Sequence, residues 1–182
     1  MHMDISYILR EEDYLQFNLY VASNSKVVKR RRILSRYVVP AAYLIFALIS
    51  FYMNAMIMGV IFLIFSILWV LLFPAYEVKK YVKAYKKYIQ SNLSRSLNNQ
   101  VELKVKDDFI YLNDHTSEHK ISIASLYELV ELPSIFLLSS DVGSAILIPK
   151  DQIDVSLVKQ NLMDLSRTHK IPLIEKLDWK WR

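Results

Sequence analysis

Forty consecutive residues without a charged side chain separate Arg36 from Glu77, and this segment constrains the fold more than any other. As one straight helix it would extend about 60 Å at ~1.5 Å per residue, about twice the ~30 Å thickness of a bilayer's hydrocarbon core. Two antiparallel helices of about half that length match the core. The segment therefore predicts a two-helix transmembrane hairpin.

The turn of this hairpin is expected at Asn54. Asparagine favours turns and is costly in the middle of a membrane. Two aromatic residues precede it, as is typical of a membrane interface. This places the spans at about 37–53 and 55–76. Gly59 is the alternative turn, but it would lengthen the first helix and leave Asn54 in lipid.

Basic residues flank both ends of the hairpin, and its predicted turn carries none. Because Lys and Arg stay on the cytoplasmic side, we expect a multi-pass protein of the cell (inner, cytoplasmic) membrane with both termini in the cytoplasm. Nine of these residues are predicted to contact anionic headgroups of the cytosolic leaflet: Lys29, Arg30, Arg31, Arg32, Lys79, Lys80, Lys83, Lys86 and Lys87.

The net charge of +5 is unevenly distributed along the chain. Residues 1–25 carry −3, residues 26–97 carry +11 and residues 98–182 carry −3. The excess positive charge therefore indicates membrane topology, and no nucleic-acid partner is expected. The chain has no cysteine, which excludes disulfides and thiol nucleophiles.

About 140 residues lie outside the predicted spans, enough for one soluble domain. A helix is expected over 10–21, and the second span is expected to continue as a basic amphipathic helix to about Leu97. Another helix, capped by Asp151 or Asp154, runs to about Arg167 with Ile153, Leu157, Leu162 and Leu165 inward. Alternating patterns predict strands over 3–9, 101–105, 109–112, 120–123, 126–132, 135–139 and 144–148.

We therefore predict an α+β membrane protein, in which a two-helix hairpin accompanies a small antiparallel β-barrel or sheet. Six strands followed by one helix is the order of a pleckstrin-homology-like barrel, which the C-terminal helix closes. The predicted domains are an N-terminal strand and helix (1–25), the basic-flanked hairpin with its cytosolic helix extension (26–97), and the pleckstrin-homology-like domain with its tail (98–182). The N-terminal strand is expected to join the cytosolic domain.

Short motifs along nearly the whole chain support a family resemblance. They are Glu11-Glu12-Asp13-Tyr14, Phe17-Asn18-Leu19-Tyr20, Ile121-Ser122-Ile123-Ala124-Ser125-Leu126-Tyr127 and Ile148-Pro149-Lys150. With the central hairpin, they make the chain resemble the YcxB-like family of bacterial membrane proteins. The resemblance implies a pleckstrin-homology-like cytosolic domain on a bacterial inner-membrane anchor, and it implies no enzyme activity.

Few residues have the spacing of a catalytic or metal site. His115 and His119 flank a predicted turn, with Asp114 and Glu118 nearby, and a metal site there competes with simple solvation of an exposed loop. Two glycines in the whole chain exclude a glycine-rich phosphate loop. We expect no metal and no cofactor.

The serines and carboxylates of the C-terminal half do not form the pattern of a catalytic site. Ser139, Ser140 and Asp141 lack the frame of a nucleophile elbow. Glu128 and Glu131 lie three apart on a predicted strand, hence on opposite faces. We therefore predict no catalytic residues, and an enzyme with an unrecognised site is the least favoured interpretation.

The favoured function is a non-enzymatic, membrane-anchored binding or scaffold module with an unknown protein partner. The alternative is an accessory subunit of a membrane transport or envelope complex that acts through its hairpin. Ala55 and Gly59 are spaced to pack helices, either within the hairpin or in a homo-oligomer. The tail Trp179–Arg182 has the composition of an interfacial anchor, or it packs on the protein itself.

Overall fold

The computed structural model describes residues 3–94, 96–106, 108–114, 118–140 and 145–182. The chain folds into two compact units, Met1–Phe17 with Lys86–Lys180, and Asn18–Tyr85 with Trp181–Arg182. The elements are β1 (Met3–Ile8), α1 (Glu11–Asn24), α2 (Lys26–Tyr52), α3 (Met56–Asn92), β2 (Gln100–Lys106), β3 (Phe109–Asp114), β4 (Glu118–Ser122), β5 (Leu126–Glu131), β6 (Ile135–Ser140), β7 (Ala145–Pro149), α4 (Val155–His169) and β8 (Leu173–Glu175).

The first unit contains two four-stranded sheets, in the orders β1-β2-β3-β4 and β7-β6-β5-β8. All pairs are antiparallel except β5 with β8, which is parallel. Every residue of β6 is buried, so this inner strand of the second sheet is covered on both faces. The α+β class with antiparallel strands is therefore confirmed.

The prediction of a closed barrel was wrong. In the part of the chain that the structure describes, the strands form two separate sheets. A 3-10 turn over Ile123–Ser125 interrupts the chain between β4 and β5, and the β5–β6 register shifts between Leu126 and Glu128. No ladder joins β1 to β7 among the described strands. Each interruption removes backbone hydrogen bonds that closure needs.

The N-terminal strand belongs to the same sheet as the strands that follow the helical hairpin. β1 pairs with β2 from Met3 opposite Val105 to Ile8 opposite Gln100. Along both strands, side chains that face the core alternate with side chains that face outward. Tyr7 and Leu103 are among the buried ones. The N-terminal strand is thus part of the first sheet.

The side chain of Gln152 supplies an edge partner for β1. Its amide nitrogen donates to the carbonyl of Ile8, and its oxygen accepts from the amide of Ile8, both at 2.8 Å. The Gln152 side chain thus makes the two hydrogen bonds that a residue of a neighbouring strand would otherwise make with Ile8. This contact connects β1 to the segment between β7 and α4.

We expect Gln152→Ala to lower the free energy of unfolding by about 1–2 kcal/mol, since two hydrogen bonds of modest net strength are lost. Amide hydrogen exchange of the full chain should show faster exchange at Ile8. The control is Gln160→Ala, an exposed glutamine on α4. Unchanged protection of the Ile8 amide in the Gln152 variant would contradict the assignment.

Helix α4 begins where Asp154 caps it, with the side-chain oxygen accepting from the amide of Leu157 at 3.0 Å. Its buried stripe is Val158, Leu162 and Leu165, at steps of four and three. Leu157 was predicted inward and is instead 56% exposed. The prediction was wrong because Leu157 lies one position, about 100°, away from that stripe.

The second unit is built on α2 and α3, which form the hairpin. Ser25 caps α2 by accepting from the amide of Val28, as expected. Asn54 lies between the helices with a left-handed φ of 59°, which asparagine tolerates better than most residues. The turn at Asn54 is confirmed, and the alternative turn at Gly59 is wrong because Gly59 lies inside α3.

Small residues bring the two helices close together. Ala47, Gly59 and Ser66 are buried. A Cβ on Gly59 would lie 2.6 Å from Cδ1 of Phe51, so glycine makes room for that ring. Gly59 therefore packs within the hairpin.

Both helices are long and apolar enough to cross a membrane. Within the most apolar window of each, 11% of the residues are buried in the protein. Helix α3 continues past Pro74 and ends at Asn92, whereas the sequence predicted about Leu97. Turn residues follow it at Ser94 and from Ser96 to Asn98, and Asn98 has a left-handed φ of 61°.

Candidate functional site

The antiparallel register of α2 and α3 brings their basic segments together at one end of the hairpin. The indole nitrogen of Trp69 donates to the carbonyl of Ser35 at 3.3 Å, and the hydroxyl of Ser66 donates to the carbonyl of Pro40 at 3.2 Å. These two bonds fix the register that places Arg31 and Lys80 beside one cavity.

Eight of the nine predicted headgroup residues are exposed. Six of these eight belong to the second unit: Lys29, Arg30, Arg31, Lys79, Lys80 and Lys83. The other two, Lys86 and Lys87, lie on the last part of α3, in the first unit. There Lys86 approaches a carboxyl oxygen of Glu11 at 3.7 Å.

The ninth residue, Arg32, is half-buried and engaged within the protein. Its Nε donates to Glu77 at 3.0 Å, and Glu77 is only 6% exposed. Its guanidinium also lies 4.7 Å from the ring centre of Trp181 and donates to the carbonyl of Arg182. Glu77 is the one acidic residue in 26–97, a signal that could have indicated this internal ion pair.

The end of the chain packs on this same pair of helices. Trp181 meets Tyr81 edge-to-face with ring centres 5.3 Å apart, in addition to its contact with Arg32. The sequence left two interpretations of the tail, an interfacial anchor or packing on the protein itself. For Trp181, the structure shows packing on the protein. Aromatic and cation–π contacts of this kind each contribute about 0.5–1.5 kcal/mol.

Two open cavities lie at the basic end. One, of about 240 Å³, is lined by Arg31, Ser35, Phe73, Glu77, Lys80, Tyr81 and Ala84. The other, of about 280 Å³, is lined by Lys29, Arg32, Ile33, Arg36, Tyr37 and Glu77. Positive side chains with hydroxyl groups nearby favour an anionic ligand such as a phosphate.

The residues that the sequence suggested for metal binding and nucleophilic catalysis are only partly described. His115, Asp141 and Gly143 lie outside the described residues, while His119 lies on β4. Ser139 is buried, and its hydroxyl donates to Glu128 at 3.4 Å. Ser140 is buried too, with its hydroxyl 3.3 Å from that of Ser125.

Sequence reasoning missed a buried charge network on β5. Glu131 is 4% exposed, and its two oxygens bind Lys150 at 2.7 Å and Lys159 at 2.8 Å. Lys159 also binds Glu175 at 2.8 Å. The network links β5 to α4, to β8 and to the residue after β7.

The network shifts the ionisation of its members. Burial alone would raise the pKa of Glu131, but the hydrogen bonds and charges of Lys150 and Lys159 outweigh burial and hold that pKa below its ordinary value. Hydrogen bonds to Glu131 and Glu175 raise the pKa of Lys159. Both shifts favour the charged forms, as expected of a stabilising network.

Comparison with known proteins gives no match to this chain, whether with a protein-family model, a curated protein or a solved structure.

Proposed function

We propose that this chain is a membrane-anchored, non-enzymatic binding module of the cell membrane, with α2 and α3 crossing the bilayer and both termini in the cytoplasm. The single observation that carries the proposal is the 11% burial of each apolar window. A core helix of a soluble protein would be mostly buried, and a hydrophobic surface this large needs a partner such as lipid. The second span also lies well inside the chain, unlike a signal sequence.

The basic end of the hairpin supports the orientation. Its exposed Lys and Arg side chains lie at the end opposite the uncharged turn. Anionic headgroups of the cytosolic leaflet would attract each of them by about 1 kcal/mol. We therefore place this end at the cytosolic leaflet and assign headgroup contact to the eight exposed basic residues.

The first unit is the proposed cytosolic binding domain. After the hairpin, the six strands β2–β7 precede α4, which is the element order expected of a pleckstrin-homology-like fold. Its first sheet carries an open hollow of about 450 Å³ that includes Lys104, Tyr111 and Lys120. The exposed ring of Tyr111 suits a protein partner, because aromatic residues are enriched at protein interfaces. Membership in the YcxB-like family is part of this proposal.

Single cysteines test the orientation, because the natural chain has none. We expect Met53→Cys, at the exposed turn, to react with a membrane-impermeant maleimide on intact cells. Ser156→Cys, on the exposed face of α4, should react only after the cells are opened. Labelling of Ser156→Cys alone on intact cells would overturn the orientation. Equal labelling of both positions on intact cells would overturn the membrane anchor.

Site-specific photo-crosslinking separates the binding module from an accessory subunit. A photoreactive residue at Tyr111 should form a defined protein adduct in cells, and one at the exposed lipid-facing position Leu71 should form none. Charge reversal by Lys120→Glu should abolish the Tyr111 adduct. Adducts from Leu71 alone would support the accessory-subunit alternative.

A further inference from the structure

An apolar groove runs along the hairpin from its basic end towards the turn. It encloses about 600 Å³ and is lined by Tyr43, Phe65, Leu68, Trp69, Leu72, Phe73 and Tyr76. Apart from Tyr43 on α2, these residues recur along α3 at alternating steps of three and one, as one face of a helix requires. Aromatic pairs support its walls, with Trp69 and Phe73 stacked at 5.0 Å.

This groove meets the polar cavity at the basic end. Phe73 lines both, and the stripe on α3 continues through Glu77 and Lys80 to Ala84. On α2, Arg31 and Ser35 are one turn apart and face the cavity, while Tyr43 lies two turns further along, at the apolar groove. A cationic pocket and an apolar groove are therefore consecutive on one surface of the hairpin.

The charge at the polar end favours an anion. Arg31 and Lys80 are both exposed and belong to different helices. Glu77 also lines the cavity, but its carboxylate is already bound by Arg32 at 3.0 Å. The two remaining cations, with the hydroxyl groups of Ser35 and Tyr81 nearby, form a suitable set for one phosphate group.

We propose that the two cavities form one binding groove for a single anionic phospholipid, with its phosphate between Arg31 and Lys80 and an acyl chain along α3. This inference rests on the proposed membrane function. Along α3 the groove lining runs from Phe65 to Tyr76, a rise of about 16 Å, which is close to one leaflet's ~15 Å of hydrocarbon. The lipid belongs to the cytosolic leaflet and bridges both helices.

Native mass spectrometry of the full chain in detergent tests the groove. With phosphatidylglycerol we expect one lipid per chain, whereas phosphatidylcholine of the same acyl composition should bind more weakly. Arg31→Gln/Lys80→Gln should weaken phosphatidylglycerol binding roughly thirtyfold through loss of two charges. Glycerol phosphate alone should not displace the lipid, because it lacks the acyl chain.

The matched control is Arg30→Gln/Lys79→Gln, which removes equal charge from the residues just before the lining pair. We expect less than about a threefold change, because those charges lie about 100° round each helix and are screened. Equal weakening by both double variants would mean diffuse attraction to headgroups, and would overturn the groove while leaving the proposed function intact. Failure of the proposed function would appear separately, in cysteine labelling.

A second pair of variants tests the apolar half. Leu72→Trp should fill the groove and reduce lipid binding by about tenfold or more, while Leu71→Trp, at the adjacent position outside the groove lining, should leave lipid binding unchanged. If Leu72→Trp retains the lipid, the groove is not its site. Retention of the lipid by Leu72→Trp is also the result expected if a segment of a partner protein, and not a lipid, occupies this groove.

Discussion

Replacing Glu131 with glutamine is expected to lower the free energy of unfolding by about 3 kcal/mol, because two lysines lose their buried counter-charge. Lys150 keeps only 13% of its side chain exposed, so water cannot fully solvate it. The measurement is chemical unfolding of the full chain in detergent, followed by hydrogen exchange at β5 and β6. Loss of protection should concentrate on these two strands.

The control is Glu175→Gln, the exposed member of the same network. Because its side chain is 47% exposed, we expect a loss below about 1 kcal/mol. Equal losses from both substitutions would contradict a central role for the buried carboxylate. The comparison separates burial from simple charge removal, since each variant removes one negative charge from the same lysine.

Acid should act through Glu131 in a predictable direction. Its pKa is lowered in the folded state, so its contribution is complete above the ordinary glutamate value of about 4.3. The contribution is lost as the pH falls from that value through the lowered pKa. Below about pH 5 the wild-type protein should therefore lose stability more steeply than Glu131→Gln, and parallel curves would contradict the assignment.

Arg32→Gln is expected to weaken the packing of α2 against α3 by about 3–5 kcal/mol, because it leaves Glu77 buried without a counter-charge. The substitution also removes the guanidinium from the face of Trp181. Titration with a denaturing detergent should report the loss. The fluorescence of Trp69, whose indole bonds across the two helices, should change at a lower detergent fraction.

The double variant Arg32→Gln/Glu77→Gln isolates the ion pair. Because it removes both buried charges, we expect it to recover more than about half of the loss. Arg30→Gln, at an exposed position of the same helix, should cost below about 1 kcal/mol. A double variant no more stable than Arg32→Gln would contradict the ion-pair explanation and assign the loss to the contact with Trp181.

Local signals predicted much of this fold. The strand expected over 135–139 is β6, Ile135–Ser140, and Ser25 and Asp154 cap helices as their sequence context indicates. The turn at Asn54 followed from segment length and from the cost of a polar amide in lipid. Each of these predictions depends on residues within a few positions of one another, so a single sequence contains the necessary information.

Features that depend on pairing between distant residues were missed. Lys150 reaches Glu131 because β6 lies between β5 and β7, so that Glu131 and Ile148 both oppose Phe136. The internal role of Arg32 requires the register of two helices and the position of Trp181. A 3-10 turn separates β4 from β5, and a register shift interrupts the β5–β6 pairing; neither has a clear local pattern in the sequence.

The pairing of β1 with β2 has a consequence for biosynthesis. Ile8 emerges from the ribosome 92 residues before its partner Gln100, and the entire hairpin lies between them. At about 5–20 residues per second, β1 waits roughly 5–20 s for its neighbour. In the proposed topology, β1 and β2 meet only if the hairpin returns the chain to the side on which it started. A chain whose hairpin did not return would leave β1 and β2 on opposite sides of the bilayer. Completion of the first sheet therefore reports correct insertion of the hairpin.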